Sequence, residues 1–273
     1  MSDSDSTLSP EPQRTIKIIF ISDYVRLPSY SPCIFHFSYD LSFFGIYQLC
    51  AFCYIGNKSL KDAIAGCRDL DVRFDVEFRP FTLLCQSSVP EVPKAKGEKV
   101  PNRRDYLVRK FGKEQAESKW KVVEELAQKA GLPLAEDGIV ARSTLAHRLA
   151  VKAYKVGGQA MQGHLNDLLF DAIFAACKDV SDVEFLADAA EKIGLMNKAE
   201  ATTFLQDTDC KNCVNQMIEA ARASGVNGVP SIIIDGKWAL NGVQSTECYL
   251  QILRKIAQSS SMTECASIVS VES

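Results

Sequence analysis

Much of what carries familiar enzyme chemistry is missing from this chain. It has no Ser-His-Asp arrangement, no glycine-rich phosphate loop and no HExxH pair, which removes the usual carriers of serine hydrolysis, nucleotide binding and zinc proteolysis. Positive charge is not in excess. Lys and Arg number 31 against 34 Asp and Glu, a net charge of -3, which argues against nucleic acid as a partner. The one basic run, Arg103-Arg104 to Lys113, is diluted by Asp105, Glu114 and Glu117 and reads as a solvated helix face. No apolar run reaches the roughly 18 uncharged residues that a membrane helix needs. The nearest approach, an aromatic stretch from Tyr30 to Tyr47, holds His36 and Asp40. The first 15 residues carry neither a basic n-region nor an apolar h-region, so no secretory leader is expected and the location is read as cytoplasmic. No internal repeat is visible.

Cysteine, by contrast, is plentiful: ten in 273 residues, in an otherwise ordinary composition of 47% apolar and 24% charged residues. In a reducing compartment these thiols stay mostly reduced, and paired spacings point to redox or metal chemistry before structural bridges. Two pairs have the CxxC spacing, Cys50/Cys53 and Cys210/Cys213.

Apolar and polar periodicity supplies the framework. "TIKIIFISDYV" (15–25) reads as a buried strand, the segment from Cys53 to Cys67 as a helix, and "DVRFDVEFRPF" as a strand with alternate residues on one face. A strand, a helix and a strand in so short a span predict a parallel βαβ unit. A proline-containing loop follows, and from Arg103 to about Gln206 nearly everything then reads as helical. Trp120, Val123, Leu126 and Ala127 form one stripe, and a helix is expected to end at the pair Gly157-Gly158. A capping box is expected from Ser181 to Glu184, with a stop at Gly194. After that come a helix to Gly225, a hairpin turning on Asp235-Gly236, and a last helix capped by Ser245. The domain plan is therefore a disordered segment 1–14, a first part of the sheet domain at 15–102, a helical insertion at 103–206, a second part at 207–258 and a flexible tail at 259–273.

The order βαβ, helical block, αββα, with CxxC after the first strand, is the thioredoxin arrangement: an α/β fold with a large all-helical insertion. A Cys at a helix N-terminus faces unpaired backbone N–H groups that favour thiolate, and a second Cys one turn on can resolve a mixed disulfide. Cys50 would be the exposed nucleophile and Cys53 the shielded resolving thiol. The plainer alternative is a pair of buried structural cysteines. "GVNGVPSIII" puts Val229-Pro230 just before a strand. There a cis bond would expose the Val229 backbone to an extended peptide or to glutathione; a plain turn proline is the alternative.

"CAFCYIG", "AHRLA", "GVNGVPSIII" and "NGVQ" together resemble the DsbA-like thioredoxin family of FrnE type, which also includes glutathione-dependent 2-hydroxychromene-2-carboxylate isomerases. The likeness covers about residues 15–25 and 50–257. It implies a thioredoxin domain with a helical insertion and thiol–disulfide oxidoreduction at Cys50 and Cys53. It implies substrate contacts at Val229, Pro230, Gly242, Gln244 and, near the cleft, His147; read from the residues alone, His147 is a packed histidine on an apolar helix face. Protein thiols and disulfides or glutathione are the expected partners, with glutathione as co-substrate and no tightly bound cofactor, in a monomer or homodimer. Isomerase members usually lack the first cysteine, so Cys50 favours the oxidoreductase branch. A glutathione-dependent isomerase or transferase acting on an aromatic small molecule is the alternative.

Two features depart from that family. Ala51-Phe52 replaces the common Pro-Trp between the cysteines, and about 24 residues intervene between the first strand and CxxC. Val25 and Gln48 are compatible with the GT and AG of a short intron, and removing 25–48 keeps the frame and restores an ordinary family sequence. The stretch reads either as a retained intron or as an active-site lid. If it is translated and pushes Cys50 off the helix end, an inactive module results. Cys210/Cys213 are candidates for an accessory redox pair, with Asp207 and Asp209 opposing thiolate and Lys211 favouring it; free cysteines are the other reading. Zinc shared by the two CxxC pairs would need four convergent thiolates, and no metal is expected.

Overall fold

A computed structural model describes residues 13–23, 50–82 and 102–259. The intron-or-lid stretch 25–48, most of the proline-containing loop, the first 12 residues and the tail from 260 lie outside the described residues.

Four strands make one sheet, in the order β2-β1-β3-β4. Strand β1 (Arg14–Ser22) runs parallel to β2 (Val72–Pro80), with Arg14 opposite Val72 and Ser22 opposite Pro80. The helix α1 (Ala51–Ala65) lies between them in sequence, which gives the expected βαβ unit. On its other side β1 pairs antiparallel with β3 (Ser231–Ile234), which turns into β4 (Trp238–Asn241). The turn residues Asp235 and Gly236 both have positive φ, 50° and 67°, and with Lys237 they make a three-residue connection between the paired Ile234 and Trp238. Asp235 is also tied to β1: its carboxylate accepts from the Lys17 N–H and its own N–H donates to the Lys17 carbonyl, both at 2.8 Å. Ile16, Ile18 and Phe20 of β1 are fully buried, as a central strand requires.

Between β2 and the hairpin stand the helices α2 (Arg103–Phe111), α3 (Lys113–Lys129), α4 (Thr144–Phe174), α5 (Val183–Lys192), α6 (Lys198–Gln206) and α7 (Lys211–Ala223); α8 (Thr246–Gln258) closes the chain against α1. Arg254 of α8 holds the end of α1, donating to the Gly66 carbonyl and gripping Asp69 through two bonds of 2.8 and 2.7 Å. Ser245 caps α8, accepting from the Cys248 N–H.

One local expectation holds and two need correction. The helix of "TLAHRLAVKAYKVGG" does break at its glycine pair: Gly157 (φ -129°) and Gly158 (φ 59°, ψ -154°) are non-helical, and a second helical segment resumes across this kink and completes α4 to Phe174. Tertiary contacts hold that second segment. Beyond the kink, Gln159 and Gln162 reach the outer edge of β2, where Gln159 Oε1 accepts from the Val76 N–H at 2.9 Å. Gln162 accepts from the Phe78 N–H and donates to the Phe78 carbonyl, both at 2.8 Å, and also donates to the Ala150 carbonyl across the kink. Two side-chain amides thus pair with the edge as a further strand would.

The cap of α5 is Asp182, which accepts from the Glu184 N–H at 2.9 Å, whereas Ser181 donates to Asp179. A complete capping box stands instead at Asn197 and Glu200 of α6. Finally, Arg103 is not solvated. It is 1% exposed, donates to the Ala135 and Asp137 carbonyls and lies 4.9 Å from the Trp120 ring. Those carbonyls and the ring replace water around the guanidinium. Burial lowers its pKa to about 10, which keeps it charged at neutral pH.

Candidate active site

Cys50 stands at the N-cap of α1 and Cys53 in its first turn; the Cys53 N–H donates to the Cys50 carbonyl at 2.8 Å. Among the described residues no side chain caps this helix, and no acidic residue occupies its first turn. The first-turn N–H groups are therefore directed at the Cys50 position, the arrangement that stabilises a thiolate. The two sulfurs are joined in a disulfide, with Cα atoms 5.0 Å apart. Cys50 thus stands at the helix end.

One expectation about this pair is not met. Cys50 is 1% exposed and Cys53 0%, so Cys50 is not the exposed member. Its sulfur is bonded to one that is itself fully buried.

The cis bond at Val229-Pro230 lies beside the same helix. Ser231 pairs with Ile21 near the C-terminal end of β1, so the residue before it falls at that end of the sheet. A methyl placed on Gly56 of α1 would lie 3.5 Å from the Pro230 ring, 3.5 Å from Phe20 and 3.8 Å from Val243. These are ordinary van der Waals distances, and they place the proline loop against α1 one turn below the cysteines. The "NGVQ" segment joins this contact. The Gly242 N–H donates to the Pro230 carbonyl at 2.9 Å, Gly242 has φ of 80°, and the Gln244 amide donates to the Asn241 carbonyl. Val229 is half-buried and Pro230 buried. The structure thus brings Cys50, Cys53, Pro230, Gly242 and Gln244 to one end of the sheet.

His147 is 2% exposed, with Nε2 3.1 Å from Asp23 Oδ1. Ser143 donates to the same oxygen at 2.6 Å. Asp23 directly follows β1 and is fully buried. His147 therefore meets a carboxylate 124 residues away in sequence, a partner that local reading could not supply.

A second missed feature joins α1 to the helical block. Tyr54 donates to Asp171 at 2.7 Å, Asn57 donates to Asp167 at 2.9 Å, and Lys61 forms an ion pair with Asp167. Tyr54 also stacks on Phe174, ring centroids 5.4 Å apart. Burial first, and Asp171 second, push the Tyr54 hydroxyl well above the usual phenol range. The spacing of Tyr54, Asn57 and Lys61, matched by Asp167 and Asp171 one turn apart, was the available signal.

Cys210 and Cys213 are free and half-buried, at the N-terminus of α7. They are not brought to Cys50. Among the described residues no three His, Cys, Asp or Glu side chains gather as metal ligands, and no helix is long and apolar enough to cross a membrane.

Comparison with known proteins bears on this site. The family described as the DSBA-like thioredoxin domain matches residues 43–254. Among solved structures, a probable DsbA oxidoreductase from Streptomyces coelicolor is 22% identical with a TM-score of 0.66, covering 94% of this chain and 95% of its own. A 2-hydroxychromene-2-carboxylate isomerase is 14% identical with a TM-score of 0.54, over 88% and 94% of the two chains. The cytosolic disulfide reductase DsbM from Pseudomonas aeruginosa, seen with GSH, is 13% identical with a TM-score of 0.52, over 88% and 98%. At these identities the likeness is one of fold. No curated protein matches the sequence.

Proposed function

We propose the function from one premise, that the chain belongs to the DSBA-like thioredoxin domain family: it is a thiol–disulfide oxidoreductase acting through Cys50 and Cys53. The observation that carries this is the Cys50–Cys53 disulfide at the uncapped N-terminus of α1. In the reduced enzyme the Cys50 thiolate attacks a substrate disulfide, forming a mixed disulfide and releasing one substrate thiolate, which takes up a proton. The Cys53 thiolate then attacks the Cys50 sulfur and releases the second substrate thiol. Two electrons pass from the enzyme dithiol to the substrate disulfide, and the same steps reversed oxidise a substrate dithiol.

In this reading the Val229 backbone and Pro230 hold an extended substrate, Gly242 and Gln244 close that side of the cleft, and His147 acts on the site from its buried contact with Asp23. Glutathione or a protein thiol is the partner and the cytoplasm the location. The DsbM neighbour seen with GSH and the free cysteines elsewhere in the chain support both. The two divisions of the sheet domain around a 103–206 insertion, and the monomeric or dimeric state, belong to the same proposal.

The isomerase neighbour keeps a second reading in view, and Cys53→Ser separates the two. With a dithiol enzyme the variant traps a mixed disulfide at Cys50, visible as a mass increase of the substrate or glutathione that a reductant removes. A Cys53→Ser protein that accumulates no adduct and keeps full activity on a small molecule would refute the oxidoreductase.

A further inference from the structure

Two features of the chain place two cysteines at the same helix positions. Cys50 is the N-cap of α1 and Cys53 its third helical residue; Cys210 is the N-cap of α7 and Cys213 its third. In α1 this placement already carries a bond. In α7 the same N-cap carbonyl is engaged, with the Val214 N–H donating to the Cys210 carbonyl at 3.0 Å. Helix α7 likewise has no side-chain cap and no acidic residue in its first turn. Cys210 has φ of 61°, a left-handed conformation uncommon for a residue with a side chain and often retained for a reason beyond packing. Both thiols are half-buried and free, and both pack on the Val151, Val214 and Ile218 cluster.

We propose that Cys210 and Cys213 form a second, reversible intramolecular disulfide, with a low-molecular-weight disulfide such as oxidised glutathione as its oxidant. One thiolate attacks a glutathione sulfur, making a mixed disulfide and releasing one glutathione thiolate. The neighbouring cysteine attacks the protein sulfur of that bond and releases the second. Two thiols lose two electrons and two protons; one oxidised glutathione becomes two reduced ones.

The surroundings distinguish this couple from the first. Burial, then Asp209, push the Cys210 thiol up, while Lys155 and Lys152 pull it down. Carboxylate charge is absent from the first turn at Cys50 and present beside Cys210. The second pair is thus suited to slower exchange than the first. The bond would fall at a joint that is already clamped: Arg148 donates to the carbonyls of Phe204, Leu205 and Asp209. Closing it would lock the first turn of α7 next to that clamp from α4.

Lys211 between the cysteines makes the test direct. The full-length protein is equilibrated in oxidised or in reduced glutathione, quenched with acid, alkylated and digested with Lys-C without reduction. Cleavage after Lys198, Lys211 and Lys237 leaves Cys210 and Cys213 as the only cysteine of each of two neighbouring peptides. The proposal expects these peptides joined after oxidised glutathione, separate and alkylated after reduced glutathione, and separate in Cys213→Ser under both. Peptides that come apart alkylated in oxidised glutathione, or that carry glutathione or another cysteine instead of each other, overturn it.

Discussion

Replacing Gln162 with leucine tests whether the helical block completes the sheet. Gln162 is 1% exposed and makes three bonds: 2.8 Å from the Phe78 N–H, 2.8 Å to the Phe78 carbonyl and 3.1 Å to the Ala150 carbonyl. Leucine has similar bulk and none of these partners. The Phe78 N–H and carbonyl would then be buried beside a hydrocarbon, and each unsatisfied backbone group costs about 1–3 kcal/mol. The Ala150 carbonyl sits within α4 and adds little. The expected loss is therefore about 2–5 kcal/mol. Gln159→Leu is the internal control. It removes one bond at a half-buried site that water can reach, for about 0.5–1.5 kcal/mol. Gln162→Glu keeps an acceptor for Phe78 N–H but turns a carboxylate oxygen toward two carbonyls. It should destabilise at neutral pH and recover in part under acid, when a protonated carboxyl can donate. Urea unfolding followed by circular dichroism reads all three. A Gln162→Leu midpoint no lower than that of Gln159→Leu, at unchanged slope, would mean that the edge of β2 does not depend on this clip.

Gly158→Ala meets a backbone at φ 59°, ψ -154° that suits only glycine, so thermal unfolding should show a loss of about 1–3 kcal/mol. Asp182→Ala should cost about 1 kcal/mol as a lost cap, and Ser181→Ala less; equal losses in chemical denaturation would return the cap to Ser181. The hydrogen bond from Arg254 is the main cause holding the Asp69 carboxyl below the usual range. Its folded pKa is depressed, so the pairing contributes above the ordinary carboxylate range and is lost as pH falls through the lowered value. In Arg254→Gln the Asp69 carbon resonance should titrate at a higher pH than in the parent, and an unmoved midpoint would remove Arg254 as the cause.

Legibility followed the range of the signal. Strand β1, the alternation of β2, the Asp235-Gly236 hairpin and the Ser245 cap are encoded within a few residues, and all were readable. The CxxC at a helix start was readable for the same reason, and with the "GVNGVP" and "NGVQ" segments it pointed to the family. The glycine pair marked the break in α4 correctly; what a local rule could not see is β2, 80 residues upstream, whose edge is clipped by the segment that resumes after the kink. Ser181 and Asp182 are adjacent residues of equal capping chemistry, and pattern alone does not choose between them. Asn197 with Glu200 was a readable box that the helical run around it concealed. Arg103 looked solvated because its carbonyl partners lie over 30 residues on. The same distance problem hid Asp23 from His147 and the aspartates of α4 from Tyr54, Asn57 and Lys61.

The detour between β2 and the hairpin has a consequence in time. Cys50 and Pro230 meet at one end of the sheet, yet about 180 residues of synthesis separate them. At the roughly 5–20 residues per second of translation, that is an interval of about 10–35 seconds. Through it the nascent chain carries both thiols at the start of α1 before the proline loop that packs on that helix has been made. Those thiols are most open to chance oxidation, and to pairing with the six other cysteines made by then, before the enzyme exists as an enzyme.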